Sequence, residues 1–162
     1  MATLEIGQPA PAFTLRGADK QNYSLGTDGA RLTLAVFFKT TCPTCAVAFP
    51  YIEKIFQTYR DAGLAVWGIS QHDARRAKDF AAKYAATFPL LIDDAWRVSK
   101  QYDPDYVPTL FLIAPTGAVC ERVVSFDKAG LNRLAQTIAD RLGVPPVLIA
   151  PDNDGVPAFR PG

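Results

Sequence analysis

Residues 32–38 read "LTLAVFF", seven positions with a single hydroxyl and no charge. The run follows neither the two-residue period of a half-buried strand nor the spacing of an amphipathic helix. It is also far shorter than the ~20 residues of a membrane span. A strand of this kind is stable only when both of its faces are covered, which points to a sheet held between two layers. "LAVWGIS" (64–70) and "LFLIA" (110–114) have the same character.

Between the first two runs, Cys45, Phe49, Ile52, Phe56 and Tyr59 recur at spacings of three and four while Glu53, Lys54, Gln57 and Arg60 face away. This is one helix with an apolar stripe, stopped at Gly63. A second helix is expected from about Asp73 to Ala86, with Ala77, Phe80, Ala81 and Tyr84 inward, and a last one buries Leu131, Leu134, Ala135, Ile138 and Leu142. "APTG" (114–117) reads as a hairpin into "AVCERVVS", an alternating edge strand. The expected class is a mixed α/β sheet flanked by helices, its strand–helix–strand unit parallel and right-handed. Trp67, Trp96 and the phenylalanines are expected in the core. One domain is expected over 1–143. Residues 144–162 hold five prolines in 19 positions and read as a Pro-rich tail, extended or loosely docked, whose Val147, Leu148 and Ile149 lie on the domain or on a neighbour.

Seventeen Lys and Arg face 16 Asp and Glu with no block of one sign, which argues against nucleic acid or an anionic membrane as partner. "MATLEIGQPAPAF" lacks the basic start and apolar core of a leader, so the expected address is cytoplasmic, or periplasmic if a leader has been removed. Three cysteines, Cys42, Cys45 and Cys120, make no even-numbered disulfide framework, and a chain this long needs no staple.

Cys42 and Cys45 stand at the exit of the first apolar run, in "KTTCPTCAVAFP". Cys42 falls at the N-cap or first turn of the following helix, with Pro43 where a missing N–H costs nothing. The helix dipole and free backbone N–H groups favour a thiolate there. Cys45 belongs to the apolar stripe and is turned inward. An accessible low-pKa thiol with a shielded partner suits two-step disulfide exchange, attack by Cys42 and resolution by Cys45. Zinc is poorly served, because His72 and distant Cys120 are the only further soft ligands. No metal and no cofactor beyond the redox-active pair are therefore expected. Cys120 reads as a small buried hydrophobe. Lys39 and His72 are candidates for tuning the thiol pKa.

Four segments resemble the thioredoxin superfamily, and within it the redoxin branch of TlpA- and ResA-like proteins related to AhpC/TSA: "CPTC" at the strand–helix junction, Pro50 five residues after Cys45, "VPT" (107–109) before a strand, and the opening "GQPAPAFTL" (7–15). The resemblance covers about residues 4–142. It implies a thioredoxin-like fold with an N-terminal β extension, and a cis Val107–Pro108 bond facing the cysteines. The N–H and C=O of Val107 are then free to pair with an extended substrate. It also makes Thr41, Pro43, Val107, Pro108 and Thr109 the substrate-binding set. Three departures stand out. Thr41 replaces the Trp usual before the first cysteine, and Val36 and Ala48 stand where relatives carry the acids that accept the proton of the resolving thiol.

The function expected is a thiol-disulfide oxidoreductase that reduces protein disulfides, working with a protein substrate and an upstream reductase. Two alternatives stay open. A peroxiredoxin-like thiol peroxidase would need a Thr and an Arg where Lys39 and Val107 stand. A non-catalytic binding module would use the two thiols on a partner or on Cu(I). Oligomeric state is not legible.

Overall fold

The computed structural model describes residues 3–26 and 29–162. Its strands are β1 (Thr14–Arg16), β2 (Asn22–Ser24), β3 (Leu32–Phe38), β4 (Leu64–Ser70), β5 (Leu90–Ile92), β6 (Thr109–Ile113), β7 (Val119–Val124), β8 (Phe126–Asp127) and β9 (Phe159–Arg160). The helices are α1 (Pro43–Tyr59), α2 (Ala74–Lys83), α3 (Arg97–Tyr102) and α4 (Lys128–Leu142). Five strands form the central sheet in the order β5-β4-β3-β6-β7, parallel on the β3-β4-β5 side and antiparallel on the β3-β6-β7 side. The mixed α/β sheet flanked by helices is as the sequence implied, and β1-β2 supply the N-terminal β extension.

All seven residues of β3 are buried, and their side chains divide between two cores. Leu32, Leu34, Val36 and Phe38 point into the core beneath α1, α2 and α4, whereas Ala35 and Phe37 point to the opposite face. Among the described residues, no long helix lies on that opposite face. It is covered by α3 and by the N-terminal segment, which crosses the whole sheet. Gly7 donates to the Val119 carbonyl at the β7 edge (2.8 Å) and Ala18 to the Leu90 carbonyl at the β5 edge (2.8 Å). Between these ties Phe13 lies edge-on to Trp67 and Tyr102, and the Tyr102 hydroxyl donates to the Pro11 carbonyl (2.8 Å).

Several expectations are corrected. The second helix ends at Lys83, short of Ala86, and Tyr84, its C-cap, is half-buried and packs on the core beside Phe80. Trp67 is buried, but Trp96 is 45% exposed and has a left-handed backbone before the short α3. Cys120 is only half-buried. It has no cross-strand partner at a bulge in β7, and its thiol donates to the Leu112 carbonyl (3.3 Å).

The C-terminal stretch is closely docked, not loose. Ile149 and Ala150 are buried against α1 and α4, while Val147 and Leu148 are exposed on the surface. Asn132 on α4 accepts from the N–H groups of Ile149 (3.1 Å) and Ala150 (2.8 Å), and Lys128 Nζ donates to the Pro151 carbonyl (2.8 Å) and pairs with Asp154 (2.6 Å). β9 then pairs antiparallel with β8, bringing Pro161 and Gly162 to the end of the sheet from which α1 departs.

Candidate active site

Cys42 is the N-cap of α1. Its extended backbone (φ −95°, ψ 113°) turns the chain out of β3, and Pro43 takes the first helical position. The Cys42 sulfur accepts from the Cys45 backbone N–H (3.1 Å), so the helix start is capped by the thiol itself. Cys45, one turn on, is fully buried in the apolar stripe.

This geometry separates the two thiols electrostatically. The Cys45 thiol donates to the Cys42 sulfur and, with backbone N–H groups of Cys45 and Thr44 and the positive charge of Arg160, outweighs the cost of partial burial. The Cys42 pKa falls to about 6. At neutral pH the larger share of Cys42 is thiolate. Burial, and the negative charge beside it, push the Cys45 thiol far up. A nucleophile and a shielded proton-bearing partner therefore occur one helical turn apart, without any metal cluster among the described residues.

Facing the pair is the turn before β6. The Val107–Pro108 bond is cis, and the Val107 carbonyl lies 3.5 Å from the Cys42 sulfur. Thr109 is buried, and its hydroxyl donates to the Tyr106 carbonyl (2.5 Å), bracing the turn from beneath. Thr41 and Pro43 are exposed and line a groove of about 530 Å³ that runs from Cys42 past Ala46 to Phe80 and Tyr84 on the α2 side.

The side chains of the two candidate tuning residues are engaged beside the site. Lys39 Nζ rests over the Trp96 ring, 5.4 Å from its centroid, and its carbonyl accepts from the Cys42 N–H (3.2 Å). His72 Nδ1 accepts from the Thr40 N–H (3.3 Å) and meets the Thr40 hydroxyl (2.5 Å). That side chain fastens the loop before Cys42. The cation that acts on Cys42 is Arg160, and the residue that carries it there is Thr44, whose hydroxyl accepts from Arg160 Nε (3.1 Å) and donates to the Pro161 carbonyl (2.6 Å). Sequence reasoning misses both. No local pattern links position 44 to a segment more than a hundred residues away. Val36 and Ala48, at the two places where an acid is absent, are both buried in the apolar core.

A family model described as the AhpC/TSA family matches residues 6–122. A thiol-disulfide oxidoreductase ResA of Bacillus cereus is 25% identical over 122 residues, covering 75% of this chain and 70% of that protein. ResA of Bacillus subtilis (strain 168) is 27% identical over 122 residues, covering 75% and 68%. Among solved structures, a provisionally named thiol:disulfide interchange protein DsbE from Chlorobium tepidum superposes with a TM-score of 0.78 at 27% identity. The superposition covers 87% of this chain and 100% of that one.

Proposed function

The chain belongs to the AhpC/TSA family, and from that premise we propose that it is a thioredoxin-like thiol-disulfide oxidoreductase reducing protein disulfides through Cys42 and Cys45. The observation that carries this reading is the split between the two thiols, one drawn down to about 6 at a helix start and the other buried beneath it. ResA relatives described as thiol-disulfide oxidoreductases support it.

In the forward step the Cys42 thiolate attacks one sulfur of a substrate disulfide. The substrate S–S bond breaks, an S–S bond to Cys42 forms, and the departing thiolate takes a proton from water. Cys45 gives up its proton and attacks the Cys42 sulfur. The mixed disulfide breaks, the second substrate thiol leaves, and a Cys42–Cys45 disulfide remains. The substrate gains two electrons and two protons, and an external dithiol returns them to the protein. With both flanking acids replaced by Val36 and Ala48, water reaching the mixed disulfide accepts the Cys45 proton. This makes resolution the slower step. The backbone edge of Val107 holds the substrate backbone during both attacks.

The lowered Cys42 pKa supplies a thiolate nucleophile, and the potential of the Cys42–Cys45 pair sets the direction of exchange. Equilibration across a glutathione redox series, with thiols trapped and counted on the peptides of Cys42 and Cys45, tests the reading. A reversible two-electron transition nearer roughly −270 mV than −120 mV is expected, with Cys120 free throughout. Cys42→Ser abolishes insulin reduction. Absence of a Cys42–Cys45 disulfide at every poise would sink the proposal.

A further inference from the structure

Residues 159–162 do not rest on a neutral surface. Pro161 and Arg160 are held by Thr44, two residues after the nucleophile, and the Gly162 N–H donates to the Ser125 hydroxyl (3.0 Å). Gly162 lies so close to the Val107 carbonyl that a Cβ on it would collide with that oxygen. The same carbonyl is 3.5 Å from the Cys42 sulfur. The segment is extended, paired as a strand to β8, and fastened mainly through its backbone and Arg160. The Phe159 side chain is exposed. By position alone, Gly162 fills the space beside Val107 that an extended substrate would enter.

We propose that residues 159–162 are a specificity-determining element, an internal strand that occupies the Val107 edge of the site and that a polypeptide disulfide must displace. The inference rests on the dithiol reading above. The site then has two approaches of different character. From the α2 side Cys42 is reached through the open groove past Pro43, Ala46 and Tyr84. A compact disulfide entering there meets the thiolate without touching the tail. A disulfide carried in an extended chain needs the Val107 backbone as well, and the space beside that backbone is filled by Gly162. The hold on the tail is displaceable, because these residues bury little apolar surface and their hydrogen bonds can be replaced in kind by the incoming backbone. The substrate class selected is therefore a protein segment whose pairing at Val107 outweighs the tail's hold on Thr44 and Ser125. Flexible peptides that pair weakly are excluded.

Two variants test this. Gly162→Val places a side chain against the Val107 carbonyl and pushes the segment off. Thr44→Val removes the hydroxyl that anchors Arg160 and Pro161, keeping its shape and the backbone N–H that serves Cys42. Reduction of insulin and of 2-hydroxyethyl disulfide is followed for each with dithiothreitol as electron donor, and folding is checked by circular dichroism. The ratio of kcat/KM for insulin to that for the small disulfide is expected to rise about tenfold in both variants, through a lower KM for insulin. This is the size of losing one well-made hydrogen bond or its equivalent in the competing state. A ratio that stays unchanged or falls in both variants while wild type reduces both disulfides overturns the inference alone. A wild type that reduces neither overturns the dithiol reading, and the inference with it.

Discussion

The N-terminal and C-terminal segments leave the central α/β unit and return to it by different physical means. The N-terminal segment crosses the helix-poor face of the sheet and puts Phe13 and Leu15 into a core of Phe37, Trp67, Tyr102 and Phe111. The C-terminal segment buries Ile149 and Ala150 and then relies on polar bonds: Asn132, the Lys128–Asp154 pair, Thr44 and Ser125. Apolar burial is additive and hard to reverse locally, so the first segment belongs to the fold. Hydrogen bonds in reach of water exchange for others at little net cost, so the second can yield at its far end. One segment seals a core, and the other attends the cysteines.

The largest test of this contrast is Phe13→Ala, which empties the aromatic site between Trp67 and Tyr102. It should cost about 3–5 kcal/mol in denaturant unfolding while leaving turnover per folded molecule unchanged. A loss of turnover without loss of stability would reverse the roles assigned to the two segments. In the C-terminal segment, hydrogen bonds from Lys128 and Tyr51 hold Asp154 down to about 2 from an ordinary value of 3.8. A carboxyl depressed in the folded state adds stability above its unfolded pKa and loses it as pH falls through the folded one. Docking of the tail should therefore weaken between about pH 4 and 2. Melting temperature against pH should show that slope in wild type and lose it in Asp154→Asn. Smallest are the shifts at the nucleophile. Arg160→Ala should raise the Cys42 titration midpoint slightly above about 6, and Cys45→Ala should raise it further, because the Cys45 hydrogen bond is the largest of the stabilising influences. Thiolate absorbance against pH measures both. Equal shifts would mean that the tail matters to the thiolate as much as the partner cysteine does.

What was legible in the sequence follows the same division. β3, β4, β6, α1 and α4 are long enough for their apolar pattern to be distinct, and the junction of β3 and α1 places Cys42 and Cys45 without reference to anything distant. β5 has three residues and α3 six, too few to show a period. Trp96 reads as core because of its size. It lies instead under the Lys39 ammonium at the surface, a cation–π contact that no one-dimensional pattern encodes. Thr44, Ser125 and Arg160 escape notice for a related reason. Each contributes one or two hydrogen bonds across the fold, and a single polar contact leaves no periodicity behind.

The bond between Thr44 and the Pro161 carbonyl spans 117 positions of chain. A ribosome making this protein releases Cys42 early, and β3, α1 and β4 can associate while much of the chain is still unmade. The residues that flank the thiolate arrive only when synthesis reaches position 162. From the emergence of Val107 until that moment, the nascent protein presents a reactive cysteine beside an unguarded edge. Discrimination among partners is acquired after the chemistry that needs it.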